Sequence, residues 1–285
     1  MTVHRLILSL LFAVAVHNTT IQAQRAGSDT SAARPRDVVL SNAHAFVLRD
    51  AKRQIGYRIY VALPEGYGEG SKRYPVLYLL DADAAFSLAT QAYRLLRVDS
   101  TTPDLLLIGI GYEVAGAARR TRRLQDLTPT RIAANSNTGE SAAFLRFLTE
   151  TIIPAIDSLY RTNPGDRAIY GHSLGGLFAL YALFERPDVF RRYIVSSPSL
   201  WWDGAVVLGY ESRFARNRAS LPKSIFMSVG AEEPPDMKEW FQPFADSVRS
   251  RRYRDVRFTA VVLPEETHLS IVAPGFLRGL RSVYR

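Results

Sequence analysis

The residues with the clearest chemical potential are a serine and a histidine ninety-five positions apart, Ser173 and His268. Gly171-His172-Ser173-Leu174-Gly175 fits the pattern G-x-S-x-G. Usual glycine and serine frequencies would produce that pattern by chance in roughly one chain in ten of this length, so its setting decides its value. It follows the apolar run Ala168-Ile169-Tyr170 and opens a helix-forming stretch at 177–185, which reads as strand, tight turn, helix. Such a turn pushes the serine hydroxyl out over the end of a sheet, and it needs glycine where backbone passes close to backbone. It also leaves the backbone N–H of Leu174 at a helix N-terminus, able to stabilise an oxyanion. The implied chemistry is nucleophilic attack on a carbonyl. A phosphate cradle is the competing use of a glycine-rich turn, but no Lys-Ser/Thr pair follows as a P-loop requires.

A serine hydroxyl is a weak nucleophile unless a base sits beside it. Of the five histidines, His4 and His17 fall in an N-terminal leader-like stretch, and His44 precedes the first strand. His172 adjoins Ser173 in a turn expected to point the two side chains apart. His268 remains, placed as the order serine, acid, histidine demands and just after the apolar run 256–263, at the same sheet edge as the serine turn. The acid should follow the run 224–229, where Gly230-Ala231-Glu232-Glu233 stands. Glu233 is preferred; Glu232, Asp236 or a Ser–His dyad with no acid are alternatives, and Glu265 or Glu266 could tune the histidine. A second oxyanion donor should come from the turn after the buried run 76–80, and the backbone N–H of Asp83 is the choice there.

Positioning these groups requires an α/β architecture. Strand-like and helix-like runs alternate from about residue 55 onward, as in a mostly parallel sheet with helices on both faces. Two antiparallel strands, 45–49 and 55–63, should start the sheet. Continuous apolar runs at 76–80 and 105–110 read as strands buried on both sides, followed by a long polar loop over 112–139. Phe144, Leu148, Ile152 and Ile156 recur every four residues, which places them on one side of a helix over 141–160. Further strands are expected at 166–170, 193–196, 224–229 and 256–263, with helices at 238–250 and 276–283. No linker interrupts the middle, so residues 38–285 read as one domain after a polar segment, 24–37.

Residues 1–23 combine His4 and Arg5 with an 11-residue apolar core, Leu6 to Val16, and end Ile21-Gln22-Ala23, as a secretory signal peptide does. That core is well short of the roughly 20 residues a membrane-spanning helix needs, so the expectation is an exported protein, periplasmic or secreted, with no membrane span. The sequence contains no cysteine, which excludes disulfides, a thiolate nucleophile and cysteine metal sites. The formal net charge of +9 favours anionic partners. Nucleic acid is not expected, because no recognition-helix or aromatic–basic ribbon pattern accompanies the charge. Arg119, Arg120, Arg122 and Arg123, mixed with Asp126 and Glu140, read as a solvated charged loop.

Taken in order, Tyr74-Pro75-Val76-Leu77-Tyr78-Leu79-Leu80-Asp81, Gly109-Ile110-Gly111-Tyr112, Asp126-Leu127-Thr128-Pro129, the serine turn and Ser196-Ser197-Pro198-Ser199-Leu200-Trp201-Trp202-Asp203 are modest singly and specific together. With His268, the chain resembles the Putative esterase family of α/β-hydrolases, which includes periplasmic esterases that open siderophore trilactones and is related to enterochelin esterases and S-formylglutathione hydrolases. The resemblance implies an α/β-hydrolase fold and a serine esterase with no metal or cofactor, acting on a small ester that is anionic or aromatic, such as a catecholate trilactone. It also implies that Trp201, Trp202 and arginines flank the substrate, although packing a loop onto the domain is an equal use for two tryptophans. Ala82 departs from the family, whose members often have glycine after that aspartate. Two other functions suit the same residues: acyl transfer to an alcohol, and non-catalytic capture of an anionic ligand by the arginines.

Overall fold

Among residues 39–285, which the computed structural model describes, eight strands form one sheet. They are β1 (Ala43–Asp50), β2 (Ile55–Ala62), β3 (Tyr74–Leu79), β4 (Leu106–Tyr112), β5 (Thr162–His172), β6 (Arg192–Ser196), β7 (Ser224–Gly230) and β8 (Arg257–Leu263). The order across the sheet is β1-β2-β4-β3-β5-β6-β7-β8. β1 and β2 pair antiparallel, β2 joins β4 antiparallel, and every other pairing is parallel. All parallel strands therefore present their carboxyl ends at one edge, and ligand sites of open α/β sheets form outside that edge.

The helices are α1 (Ala82–Val98), α2 (Gly116–Leu127), α3 (Ser141–Phe147), α4 (Ile153–Leu159), α5 (Leu174–Glu185), α6 (Trp202–Asn217), α7 (Pro235–Lys238), α8 (Phe241–Ser250) and α9 (Val272–Tyr284). β3 shows why its run is apolar throughout. Val76 and Tyr78 enter a core with Phe144, Leu148 and Phe178, while Leu77 and Leu79 enter a second core with Phe86 of α1 and Phe276 and Leu280 of α9. Side chains alternate across a strand, so a strand covered on both faces carries apolar residues at every position. Residues Leu40–Arg285 form one compact unit. The stretch 1–23, expected to be a leader, and the expected polar segment at 24–37 lie outside the described residues.

Three elements differ from their sequence expectation, each for a physical reason. The helix expected over 141–160 is interrupted by a π turn at Leu148–Ile152, directly before Pro154, whose ring cannot donate to the preceding turn. Phe144, Leu148, Ile152 and Ile156 all stay buried across the interruption. α2 occupies what reads as a charged loop, because its inward side is polar: Asp126 is fully buried and accepts from Arg53 at 2.8 Å and from the Tyr57 hydroxyl at 2.6 Å. Burial pushes the Asp126 carboxyl up to about 6 against the pull of Arg53 and Tyr57. α6 is silent in the hydrophobic pattern because a buried glutamate, Glu211, occupies one of its inward positions, taking hydrogen bonds from Tyr253 at 2.8 Å and Arg251 at 3.0 Å.

Candidate active site

β5 ends at His172, and Ser173 turns the chain into α5 with φ 59° and ψ −121°, a conformation that costs a non-glycine residue on the order of 1–3 kcal/mol. The turn is over-determined. Ser173 N–H donates to Ser196 O at 3.0 Å, and Ser173 O accepts from Leu177 N–H at 3.0 Å and Ser199 N–H at 3.1 Å. Glycine is obligatory at 171, where a Cβ would lie 2.1 Å from Gly175 O. The first α5 amide to find a helical partner is that of Leu177, and no side chain caps the helix. The Leu174 N–H is thus one of the free donors of a helix N-terminus, beside the Ser173 hydroxyl. Ser173 Oγ rests 3.4 Å from Ser199 Oγ, a loose contact.

His268 follows β8, and its Nδ1 is 2.8 Å from Glu233 Oε2. Glu233 follows β7, the neighbour of β8, and is 3% exposed. Its other oxygen accepts from Gly230 N–H at 2.7 Å and Ser197 Oγ at 2.5 Å. Burial opposes ionisation of this carboxyl, but the hydrogen bonds from His268, Ser197 and the Gly230 amide outweigh it and hold Glu233 below the usual range. Of the carboxylates weighed from the sequence, Glu233 is the one on the imidazole; Glu232 and Asp236 are exposed, and Glu266 binds Ser270. The two loops interlock, since Glu232 N–H donates to Glu266 O at 3.0 Å.

Asp83 lies in the first turn of α1, where the Ala84 and Ala85 amides are the first to bond back, to Asp81 O. The Asp83 N–H is therefore a free helix-terminal donor too. Its carboxylate is occupied, accepting from Tyr112 N–H at 2.8 Å and Tyr60 OH at 2.9 Å. Asp81 stands in the left-handed region at φ 55° and pairs bidentately with Arg123 at 2.6 and 2.7 Å. Arg123 also reaches His172 O at 3.5 Å. Arg123 is thus part of the architecture beside the serine turn, a correction to the solvated loop expected for the arginines. Such a role was hidden because an arginine bound to a distant aspartate looks, in sequence, like any charged residue.

The two tryptophans part company. Trp201 is 37% exposed and its Nε1 approaches Met237 Sδ at 3.1 Å. Trp202 is 3% exposed, packs in the core and donates Nε1–H to Thr130 Oγ1 at 3.2 Å. The expectation that both flank a substrate is corrected for Trp202: its indole is fully used in packing, with its one donor satisfied.

A cavity of about 400 Å³ adjoins the serine turn. Tyr112, Tyr170, Leu88 and Leu269 give it apolar walls, Arg119, Arg120, Arg123, Asp81 and Asp83 line it as well, and so does His172, the neighbour of Ser173 in the chain. Another cavity, of about 450 Å³ beside Arg94 and Arg97, contains none of these residues. Among the described residues, no group of three or more histidine, aspartate and glutamate side chains is arranged to hold a metal, and no helix is long and apolar enough to cross a membrane.

Comparison with known proteins gives the chain's family and fold. The family model described as "Putative esterase" matches residues 53–258. The siderophore triacetylfusarinine C esterase of Aspergillus fumigatus is 32% identical over 230 residues, covering 77% of this chain and 77% of that protein. The ferri-bacillibactin esterase BesA of Bacillus subtilis is 32% identical over 177 residues, 56% of this chain and 60% of that protein. Among solved structures, the BES protein from Bacillus cereus superposes with a TM-score of 0.81 at 26% identity, covering 89% of this chain and 98% of that one.

Proposed function

Because the chain belongs to the Putative esterase family and is a carboxylic ester hydrolase, we propose that it opens siderophore esters through an acyl-enzyme on Ser173, with His268 as base and Glu233 as the acid that orients it. The observation that carries this reading is the hydrogen bond from His268 Nδ1 to a buried Glu233, whose second oxygen is fixed by Gly230 and Ser197. Glu233 accepts only, so Nδ1 bears the proton and Nε2 is left as the basic nitrogen.

On substrate arrival the Ser173 hydroxyl, loosely held by Ser199, rotates toward Nε2; catalytic hydrogen bonds often tighten only in the substrate complex. Nε2 takes the hydroxyl proton as Oγ bonds to the ester carbon. The carbonyl π electrons move to oxygen, and the Leu174 and Asp83 N–H groups stabilise that oxyanion. Collapse expels the alcohol, which receives the proton from Nε2. Water then attacks the acyl-enzyme, giving its proton to His268, and the acid departs as Ser173 recovers its hydrogen.

The cavity beside His172 suits a flat, anionic arm such as a catecholate: it has aromatic and aliphatic walls and Arg119 and Arg120, while of its two carboxylates Asp81 is paired with Arg123 and Asp83 is bonded to Tyr112 N–H and Tyr60. Trp201, 37% exposed, is a second aromatic surface that this reading assigns to the substrate. Export to the periplasm or the exterior, where a siderophore ester would be met, belongs to the same reading and rests on the leader-like first 23 residues.

A fluorophosphonate probe, followed by hydrolysis of p-nitrophenyl acetate, a feruloyl ester and a cyclic catecholate trilactone, tests the reading. Wild-type protein should be labelled and inactivated, Ser173→Ala should do neither, and the trilactone should be preferred by orders of magnitude. Labelling that survives Ser173→Ala contradicts the nucleophile; indifference to the trilactone contradicts the substrate class.

A further inference from the structure

His172 stands next to the proposed nucleophile, yet its side chain is engaged elsewhere. It is the last residue of β5, and its Nε2 lies 2.8 Å from the backbone carbonyl of His268. The two imidazole rings also pack together, with centroids 4.6 Å apart and planes at 43°. A carbonyl oxygen only accepts, so Nε2 of His172 must carry the hydrogen, and a neutral ring then has Nδ1 bare.

The geometry points to His172 as a positioning residue for the base: its Nε2–H pins the backbone of His268 to the strand that delivers Ser173. The inference rests on the reading of Ser173 and His268 given above. Glu233 fixes the His268 ring from Nδ1, but that bond alone lets the ring move with its loop. The bond from His172 joins the loop after β8 to the residue one peptide away from Ser173, so base and nucleophile share a common anchor. The loop after β7 contributes separately, through Glu232 N–H on Glu266 O. Neutrality matters because the proposed mechanism makes His268 cationic, and a second imidazolium in ring contact would oppose that step. Burial, reinforced by the charge of His268, pushes His172 down to about 4, which keeps it neutral at working pH.

The bond makes a prediction that ring packing does not. His172→Gln puts an amide N–H near the place of Nε2, His172→Asn puts one nearer Nδ1 and short of the carbonyl, and His172→Phe keeps the ring without a donor. All three should be measured on p-nitrophenyl acetate and with the fluorophosphonate probe. The expected pattern is a fall in kcat of about 10- to 100-fold for Phe and Asn, as a base displaced by a fraction of an ångström to 1 Å would give. KM should stay within about twofold, fluorophosphonate labelling should slow in parallel, and Gln should recover most of kcat. If Gln falls as far as Asn, or Phe retains full kcat, His172 is not holding the base. The Gln–Asn contrast stands even where Phe fails to fold. Ser173→Ala is run beside them: if it still hydrolyses the ester, the reading of the site has failed rather than the role of His172.

Discussion

The two sides of Ser173 are built by different physics. On the β7–β8 side, Glu233 has both oxygens occupied by His268, Gly230 and Ser197, and the loops bond to one another through backbone groups. On the α1–α2 side, Arg123 clasps Asp81, Asp126 is buried beneath Arg53, and Arg119 and Arg120 line a cavity. Hydrogen bonds from fixed backbone donors hold a group within tenths of an ångström, which proton transfer needs. Arginines on a helix hold charge over a wider space, which suits recognition of an anionic arm. On the proposed reading, the first side sets the rate and the second selects the substrate, and mutations should separate the two.

The largest expected effect is on the β7–β8 side. Glu233→Gln preserves size but removes the charge and allows the wrong histidine tautomer, so kcat should fall about 10³- to 10⁴-fold for every ester. Steady-state kinetics on one neutral and one anionic ester checks this; unequal losses on the two would blur the division of labour. A smaller effect is expected on the other side. Arg119→Gln with Arg120→Gln should raise KM for an anionic catecholate ester about tenfold, near 1.4 kcal/mol, while p-nitrophenyl acetate is hydrolysed as before. Equal loss on both esters would put these arginines in the chemistry rather than in recognition.

The last expected effect is on stability rather than on turnover and lies where the two sides meet. His172 packs against the His268 ring and lines a cavity together with Asp81 and Arg123. Burial and the neighbouring histidine depress its folded pKa from 6.5 to about 4. The unfolded chain takes up a proton as pH falls below 6.5, and the folded chain does not until about 4. This contribution to stability is therefore present above the unfolded pKa and is lost as pH falls through the window. Tm measured from pH 7 to 4 should decline less steeply in His172→Gln than in wild type. Parallel curves would mean that His172 titrates normally.

The contrast between the two sides also explains what was legible in the sequence. Chemistry that requires a residue type in a fixed order leaves a trace: glycines around Ser173, a histidine after the last strand, a carboxylate after the one before. Buried parallel strands are equally plain, since coverage on both faces forces continuous apolar runs such as 76–80 and 105–110. The arginine side left little trace. α2 buries Asp126 rather than a row of leucines, and the partner of Arg123 lies 42 residues away. His172 was set aside because the turn points its side chain away from Ser173, and the sequence does not show that the imidazole then meets the backbone of His268. Trp202 misled because a tryptophan beside a site looks the same whether it meets ligand or core.

The central claim is that Ser173 and His268 meet over one sheet edge, and a crystal structure of the phosphonylated protein tests it most directly. Phosphorus should be bonded to Ser173 Oγ, one phosphonyl oxygen should lie within hydrogen-bonding distance of the Leu174 and Asp83 amides, and His268 Nε2 should sit about 2.6–3.2 Å from a phosphonyl or Ser173 oxygen. A label on another residue, or an imidazole turned away from Ser173 with Glu233 still bound to it, would contradict the account.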